Sequence, residues 1–545
     1  MSPVTSLPWS PGSTALVNAT GAVFVVTCYF TDMTRVAAAR PSGPLPRAGL
    51  DRSPPWLQSR VTGDICRPRD GDLNSGRAVR RRPRRSPEHR SHTMSRLTRS
   101  ACALALSGTV VLIAAACSPP SPQVGNNNPT SESGPIELRF WTNLTVDAQA
   151  GVIEEQARSC VAELDDVSIE FEAVPFDSMY ARMVTAFRGG QGPDIMNTIE
   201  GAISFGEAGG YLTPVDDVID EHGRYDFIAS FLHAATKDDH VWGVPDWALH
   251  QEVWYRKDLF EAAGVEVPTS WDELLDVARA VDRVDGETRG FAVPLGSALV
   301  APQTYYQFLY ANGVYTFDPD TGEYAFDRDR EAAVEATQYM LDLYDAASPP
   351  EARTWGWNEF RTAFADGDLA MVMDFGAVVG MAAEQNPDLL DEISSFPLPT
   401  PETGDEPGGI LGGGYYYMIG ASNPRREAAA KDVVGCLLQP ELVAERTNTR
   451  PVFALPATQS AADSPTYRSH PMVQRFAAEI ETIREVELPR WYRYGMEAGL
   501  NPLAGQIEAT TFIGDHLQSA AAGRITAAEA VDAIDADLRR LVRQQ

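Results

Sequence analysis

Aromatic rings and carboxylates dominate the chemistry this chain could perform. Eight of its ten Trp, 17 of its 18 Tyr and 69 of its 75 acidic side chains lie beyond residue 116. A flat ring covers the apolar face of a sugar while carboxylates and amides take its hydroxyls, so this composition suits a polyhydroxylated ligand. An exported glycosidase would use the same groups, with two carboxylates flanking the scissile bond. Among 69 acids, pairs occur at every spacing and none is singled out. There is no G-x-S-x-G elbow and no H-E-x-x-H helix. His222, His233, His240, His250, His470 and His516 show no metal-ligand spacing, and neither a metal nor a cofactor is expected. Gly412-Gly413-Gly414 lacks the Lys-Ser/Thr of a phosphate loop; it reads as close backbone approach to a ligand or as a hinge bend. Asp318, Asp320 and Gly322 are spaced loosely like a calcium loop, but no acid closes it, which leaves a hairpin turn over 317–326.

Positioning such groups falls to a body that starts at residue 136. Ile136, Leu138 and Phe140 alternate with Glu137, Arg139 and Trp141, the period of a strand. Helical spacing follows over 152–164, alternation over 167–175, helical spacing again over 179–187, and a short apolar run over 194–199 after Gly-Gln-Gly-Pro. This rhythm predicts an α/β layer with a largely parallel sheet. Ser270-Trp-Asp-Glu273 is a capping box opening a helix with Leu274, Leu275, Val277, Ala278 and Val281 on one face.

Charge divides the chain. Residues 1–116 hold 16 Arg and 6 acids; the remainder holds 29 basic and 69 acidic residues, a net of −40. So acidic a body repels phosphates and anionic headgroups, which argues against a nucleic-acid partner. After Met94, Arg96 and Arg99 precede an apolar block that ends at Cys117. This is an export signal, and it resembles the bacterial lipoprotein type, in which the Cys is lipidated and becomes the first mature residue. Later stretches fall short of the ~18 apolar residues of a spanning helix. Residues 94–116 are therefore read as signal peptide and 117–135, rich in Ser, Pro, Asn and Gly, as a flexible tether. Residues 1–93 are either never translated, synthesis beginning at Met94, or a disordered basic extension. With Cys117 assigned to lipid, Cys160 and Cys436 remain beyond the signal, and they either pair or stay as two buried thiols.

The string GVPDWALHQEVWYRKDLFEAAGVEVPTSWDELLDVARAV at 243–281 resembles the signature stretch of the family 1 extracellular solute-binding proteins of bacterial ABC sugar importers. Further pieces stand in family order: GPDIM at 192–196, AGGYLTPVD at 208–216, FADGDLAMVMD at 364–374 and GGGYYYMIG at 412–420. The resemblance covers 136–545. It implies an α/β, two-lobed periplasmic-binding-protein-like fold, each lobe a mainly parallel sheet flanked by helices, with three hinge crossings. Lobe one would take 136–247 and 412–463, lobe two 248–411 and 464–545. It further implies a monomer without enzymatic activity that closes on a carbohydrate and presents it to ABC transporter permease subunits. The lipid would hold it at the extracellular face of the cytoplasmic membrane.

On that plan Trp141, after the first strand, and Trp247, at the first crossing, face the ligand, whereas Trp254, Trp271 and Trp355 pack as core or caps. Glu200, after the third strand, and Asp374, ending the Ala-Met strand, accept hydroxyl protons, or else cap helices or face solvent. Trp357, Tyr415 and Trp491 complete the ligand set. Two alternatives stand outside this class: an exported carbohydrate-active hydrolase, and a sensory or adhesive surface lipoprotein.

Overall fold

The computed structural model describes residues 15–19, 22–26, 134–145, 147–296, 299–404 and 408–544. Within residues 1–114, Ala15–Ala19 and Ala22–Val26 pair as antiparallel strands. The export signal and Cys117 lie outside the described residues. Among the described residues no helix is long and apolar enough to cross a membrane.

Two sheets organise the body. The first takes β1 (Ile136–Thr142), β2 (Val167–Ala173), β3 (Ile195–Ile199) and β4 (Val244–His250). The second takes β5 (Glu252–Arg256), β6 (Met371–Asp374) and β7 (Ile393–Phe396). The chain then returns to the first sheet with β8 (Ile410–Ile419), β9 (Leu455–Pro456) and β10 (Trp491–Tyr492). Strand order in the first sheet is β9-β4-β8-β3-β1-β2, with β10 beside the start of β8. β1 is parallel to β2 and β3, and α1 (Asp147–Val161) and α2 (Phe176–Arg188) make the crossovers that parallel pairing needs. β8 comes back antiparallel between β3 and β4.

Neither sheet keeps the mainly parallel pattern expected for each lobe: in the first, β8 is antiparallel to β3 and β4 and β9 is antiparallel to β4, and the second is wholly antiparallel. β5 runs antiparallel to both β6 and β7. The reason is topological: only Gln251 separates β4 from β5, so β5 enters as the prolongation of a first-sheet strand rather than through a helical crossover.

α3 (Glu200–Ala208) follows β3 directly. Around the second sheet lie α4 (Trp271–Val281), α5 (Val300–Ala311) and α6 (Arg330–Ala347). Ser270 Oγ accepts the Glu273 N–H as the N-cap of α4, and Trp271 stacks on Tyr339 with centroids 4.4 Å apart. α7 (Trp357–Asp366) and α8 (Ala377–Gln385) join the core of the first sheet through Phe360, Phe364 and Val378. Cys160 on α1 is bonded to Cys436 on α9 (Pro424–Leu437), with Cα atoms 5.8 Å apart and 276 residues between them in sequence.

Where β4 gives way to β5, His250 and Glu252 are buried together with Glu487. His250 Nε2 lies 2.9 Å from Glu252 Oε1 and also pairs with Glu487. Burial is the largest influence and opposes a charged imidazole, but the two carboxylates outweigh it and lift the pKa to about 9. Burial, reinforced by Glu487, also pushes Glu252 well above the carboxylate range.

In denatured, unreduced protein Cys160 and Cys436 should resist thiol labelling, and replacing both by Ser should cost about 3–5 kcal/mol of unfolding free energy; full labelling before reduction would exclude the bond. His250 is raised in the folded state, so its contribution is complete below its ordinary value near pH 6.5 and lost as pH climbs through 9; the raised Glu252 acts with the same sign. The stability gap between wild type and His250→Gln should therefore narrow as pH rises over that range. A gap independent of pH in denaturant titrations would refute this.

Candidate ligand-binding cleft

β8 sets the site. Its pairing with β4 slips between Tyr415 and Tyr416: Trp247 opposes Tyr415 and Pro245 opposes Tyr416, leaving Asp246 as the extra residue. A bulge of this kind re-aims side chains out of simple alternation. The Trp247 and Tyr415 rings consequently lie 4.7 Å apart at 59°, and Phe453 meets Trp247 edge-on at 6.1 Å. Asp246 is anchored by Arg446 at 2.6 Å and by Asn197 Nδ2 at 3.1 Å. A small cavity lined by Leu144, Gln149, Asp246, Trp247, Arg446 and Thr449 adjoins the ring pair.

Polar groups beside these rings are incomplete. The Tyr415 hydroxyl accepts a 3.2 Å hydrogen bond from Asn143 Nδ2, and burial raises its pKa. Asn143 Oδ1 and Trp247 Nε1 are buried without a hydrogen-bond partner among the described residues. Each such atom costs about 1–3 kcal/mol until something pairs with it. A donor and an acceptor waiting beside two tilted aromatic rings form a site that a hydroxylated ring would complete.

Behind β8 lies a buried ion cluster. Glu200, the first residue of α3, accepts the Gly414 N–H at 2.9 Å. Its Oε1 is 2.7 Å from Arg493 Nε, but neither atom makes a directed hydrogen bond. Arg493 donates to Glu508 Oε1 at 2.6 Å and to the Gly412 carbonyl at 3.3 Å, and Tyr180 donates to Glu508 Oε2 at 2.8 Å. Burial raises the Glu200 pKa, with Arg493 pulling the other way. Glu200 thus positions the backbone that carries Tyr415.

Asp374 and Trp357 meet through Arg361. Asp374 Oδ1 takes the guanidinium, with Nε at 2.8 Å and a terminal nitrogen at 2.6 Å. Its Oδ2 accepts the Val378 N–H at 2.9 Å at the start of α8, the helix-capping role offered by the sequence. The Arg361 guanidinium lies 4.4 Å over the Trp357 ring. The turn after β6 passes close to the Phe453 loop: a Cβ at Gly376, where φ is +85°, would stand 2.9 Å from the Val452 carbonyl.

The structure therefore brings Trp247 and Tyr415 into contact, joins Trp357 to Asp374, and fastens Glu200, at the start of α3, to the Gly414 N–H of the strand carrying Tyr415. Trp141 is buried with Arg182 4.7 Å from its ring, and Arg182 is itself paired with Glu172. Trp491 stacks on Phe231 at 4.4 Å. Among the described residues neither ring touches Trp247 or Tyr415. Asn143, Arg361, Phe453 and Arg493 escaped the sequence reading; Asn143 carried a signal, as it follows a strand end two residues after Trp141. Among the described residues His250, Glu252 and Glu487 converge within 4.8 Å, a spacing that suits a metal, and in the structure His250 Nε2 lies against both carboxylates.

Residues 152–444 match the family model described as bacterial extracellular solute-binding protein. A binding protein of Brucella abortus strain 2308 is 25% identical over 248 residues, 45% of this chain and 59% of the relative, so the match spans about three fifths of that relative's length. The GacH receptor of Streptomyces glaucescens, solved unliganded and with acarbose, superposes with a TM-score of 0.61 at 21% identity, covering 75% of this chain and 99% of that one. A sugar transporter of Arthrobacter chlorophenolicus with bound laminaribiose gives 0.62 at 20% identity with the same coverage. At such identities the likeness concerns the fold, an α/β architecture of the periplasmic-binding-protein kind. With more than half of its length matched by one family model, this chain belongs to the bacterial extracellular solute-binding protein family.

Proposed function

We propose that this protein, as a monomer, captures a carbohydrate between two lobes, 136–247 with 412–463 and 248–411 with 464–545, and delivers it to the permease of an ABC importer. The observation that carries the reading is the Trp247–Tyr415 ring pair with unpaired Trp247 Nε1 and Asn143 Oδ1 beside it. The rings offer a stacking face, and the two atoms offer a donor and an acceptor to sugar hydroxyls. Trp357, with Arg361 fixed by Asp374, forms the facing wall. Trp141, Glu200 and Trp491 act from behind by holding β1 and β8 in place. Hinge motion at three crossings, one of them Gln251, brings the walls together. Similar proteins were solved with acarbose, laminaribiose, ribitol and D-mannitol, which supports a polyhydroxylated ligand.

The signal over 94–116 and the tether over 117–135 support attachment by lipid on Cys117 at the extracellular face of the membrane. Mass spectrometry of protein from the native membrane should find a lipidated N-terminus at Cys117; recovery of peptides from 52–77 would contradict it.

The binding reading is tested by a thermal-shift screen of mono- and oligosaccharides, followed by calorimetry. A ligand at about 100 times its Kd should add ~2.7 kcal/mol of stability. Trp247→Ala should weaken binding of the identified sugar about tenfold to a hundredfold, the scale of one lost stacking contact, and because the ring is buried it should also lower the unliganded Tm. Unchanged affinity with collapsed stability would make Trp247 a core residue and remove the site.

A further inference from the structure

Arg450 is a cation without an anion. It is half-buried, and its guanidinium lies 3.8 Å over the Phe453 ring, which in turn meets Trp247 at 6.1 Å. Among the described residues its side chain makes no hydrogen bond and no ion pair. The charged and titratable neighbours that act on it are Arg361, Tyr415, Asp374 and Glu384. Asp374 is the buried carboxylate among them, and both of its oxygens are committed, to Arg361 and to the Val378 N–H. Glu384 is exposed. Two guanidiniums thus share one occupied carboxylate on the cleft wall, leaving a surplus positive charge in a body whose net charge is −40. Burial, followed by repulsion from Arg361, lowers the Arg450 pKa to about 10, the direction expected of a cation that lacks its counter-charge.

We infer that the ligand is an acidic saccharide whose carboxylate is received by Arg450 beside the Trp247–Tyr415 rings. This rests on the carbohydrate reading and sharpens it to a class, the uronic acids and oligosaccharides containing them. A planar guanidinium already held against Phe453 has its rotamer fixed, so its free N–H edge can pair with both oxygens of a carboxylate at little entropic cost. A neutral sugar would leave that edge unpaired when the lobes close and expel water. Arg361, Arg446 and Arg493, by contrast, are each in direct ion pairs with a buried carboxylate.

The test is calorimetry of the mature protein with matched pairs: glucuronate against glucose, galacturonate against galactose, and the corresponding disaccharides, with sulfated disaccharides as a further arm. The uronate member of at least one pair should bind about tenfold to a hundredfold more tightly than its neutral partner, the scale of a charge-assisted hydrogen bond. Arg450→Gln should erase that preference and Arg450→Lys should restore part of it, which separates charge recognition from a folding defect. Equal affinity for both members of every pair, or a preference that survives Arg450→Gln, would overturn the inference while leaving the carbohydrate reading standing. Preference for the sulfated arm alone would overturn the assignment to uronates. Failure of every saccharide, acidic or neutral, to bind would bring down both.

Discussion

Arg493 is a guanidinium taken out of water, and such a group persists only where carboxylates and carbonyls take up its charge. Glu200 at the start of α3, Glu508 at the end of the helix Leu503–Glu508, and the Gly412 carbonyl of β8 supply them. Two acids against one base leave an excess, which burial relieves by making Glu200 easier to protonate. Gathering these groups demands close backbone approach. A Cβ on Gly201 would stand 2.2 Å from Glu508 Oε2, and one on Gly412 would stand 1.7 Å from Trp491 Nε1. The glycine run of β8 therefore admits protein groups rather than a ligand, and its last N–H, fastened to Glu200, holds the strand where Tyr415 can meet Trp247.

A second buried cluster plays a comparable part where the sheets join. His250 and Glu252 flank Gln251, the single residue between β4 and β5, and Glu487 reaches them from the segment before β10. The charged imidazole between two carboxylates ties distant stretches of chain at the point where a hinge would bend. Stability at that point comes from electrostatics that pH can remove, whereas the cores of the two sheets rest on apolar packing.

What the sequence disclosed was mainly local. The β1-α1-β2-α2-β3 order could be read because alternation and helical spacing are each contained within about 15 residues. The Ser270 cap could be read for the same reason, and the hairpin over 317–326 appears with Phe317 bridged to Tyr324. The direction of β5, the partners of Arg493 and the grouping of His250 with Glu487 depend on contacts across long separations, which no local pattern encodes. Within the site, Trp247 and Tyr415 could be named from motifs, but their meeting depends on the bulge that leaves Asp246 unmatched in β4. Trp141 illustrates the opposite difficulty. Alternation tells which side of β1 a ring takes, but both faces of the parallel β2-β1-β3 part of the sheet are covered, so the ring on either side finds protein. Arg182 is what Trp141 finds.

Capture of the ligand depends on a sugar completing the group formed by Trp247, Tyr415 and Asn143. A crystal structure of the protein with the tightest saccharide from a binding screen tests that claim most directly. The expected result is a pyranose ring against Trp247 and Tyr415, with hydroxyls within hydrogen-bond distance of Trp247 Nε1 and Asn143 Oδ1. A saccharide bound elsewhere, with those two atoms still unpaired or satisfied by water alone, would contradict it.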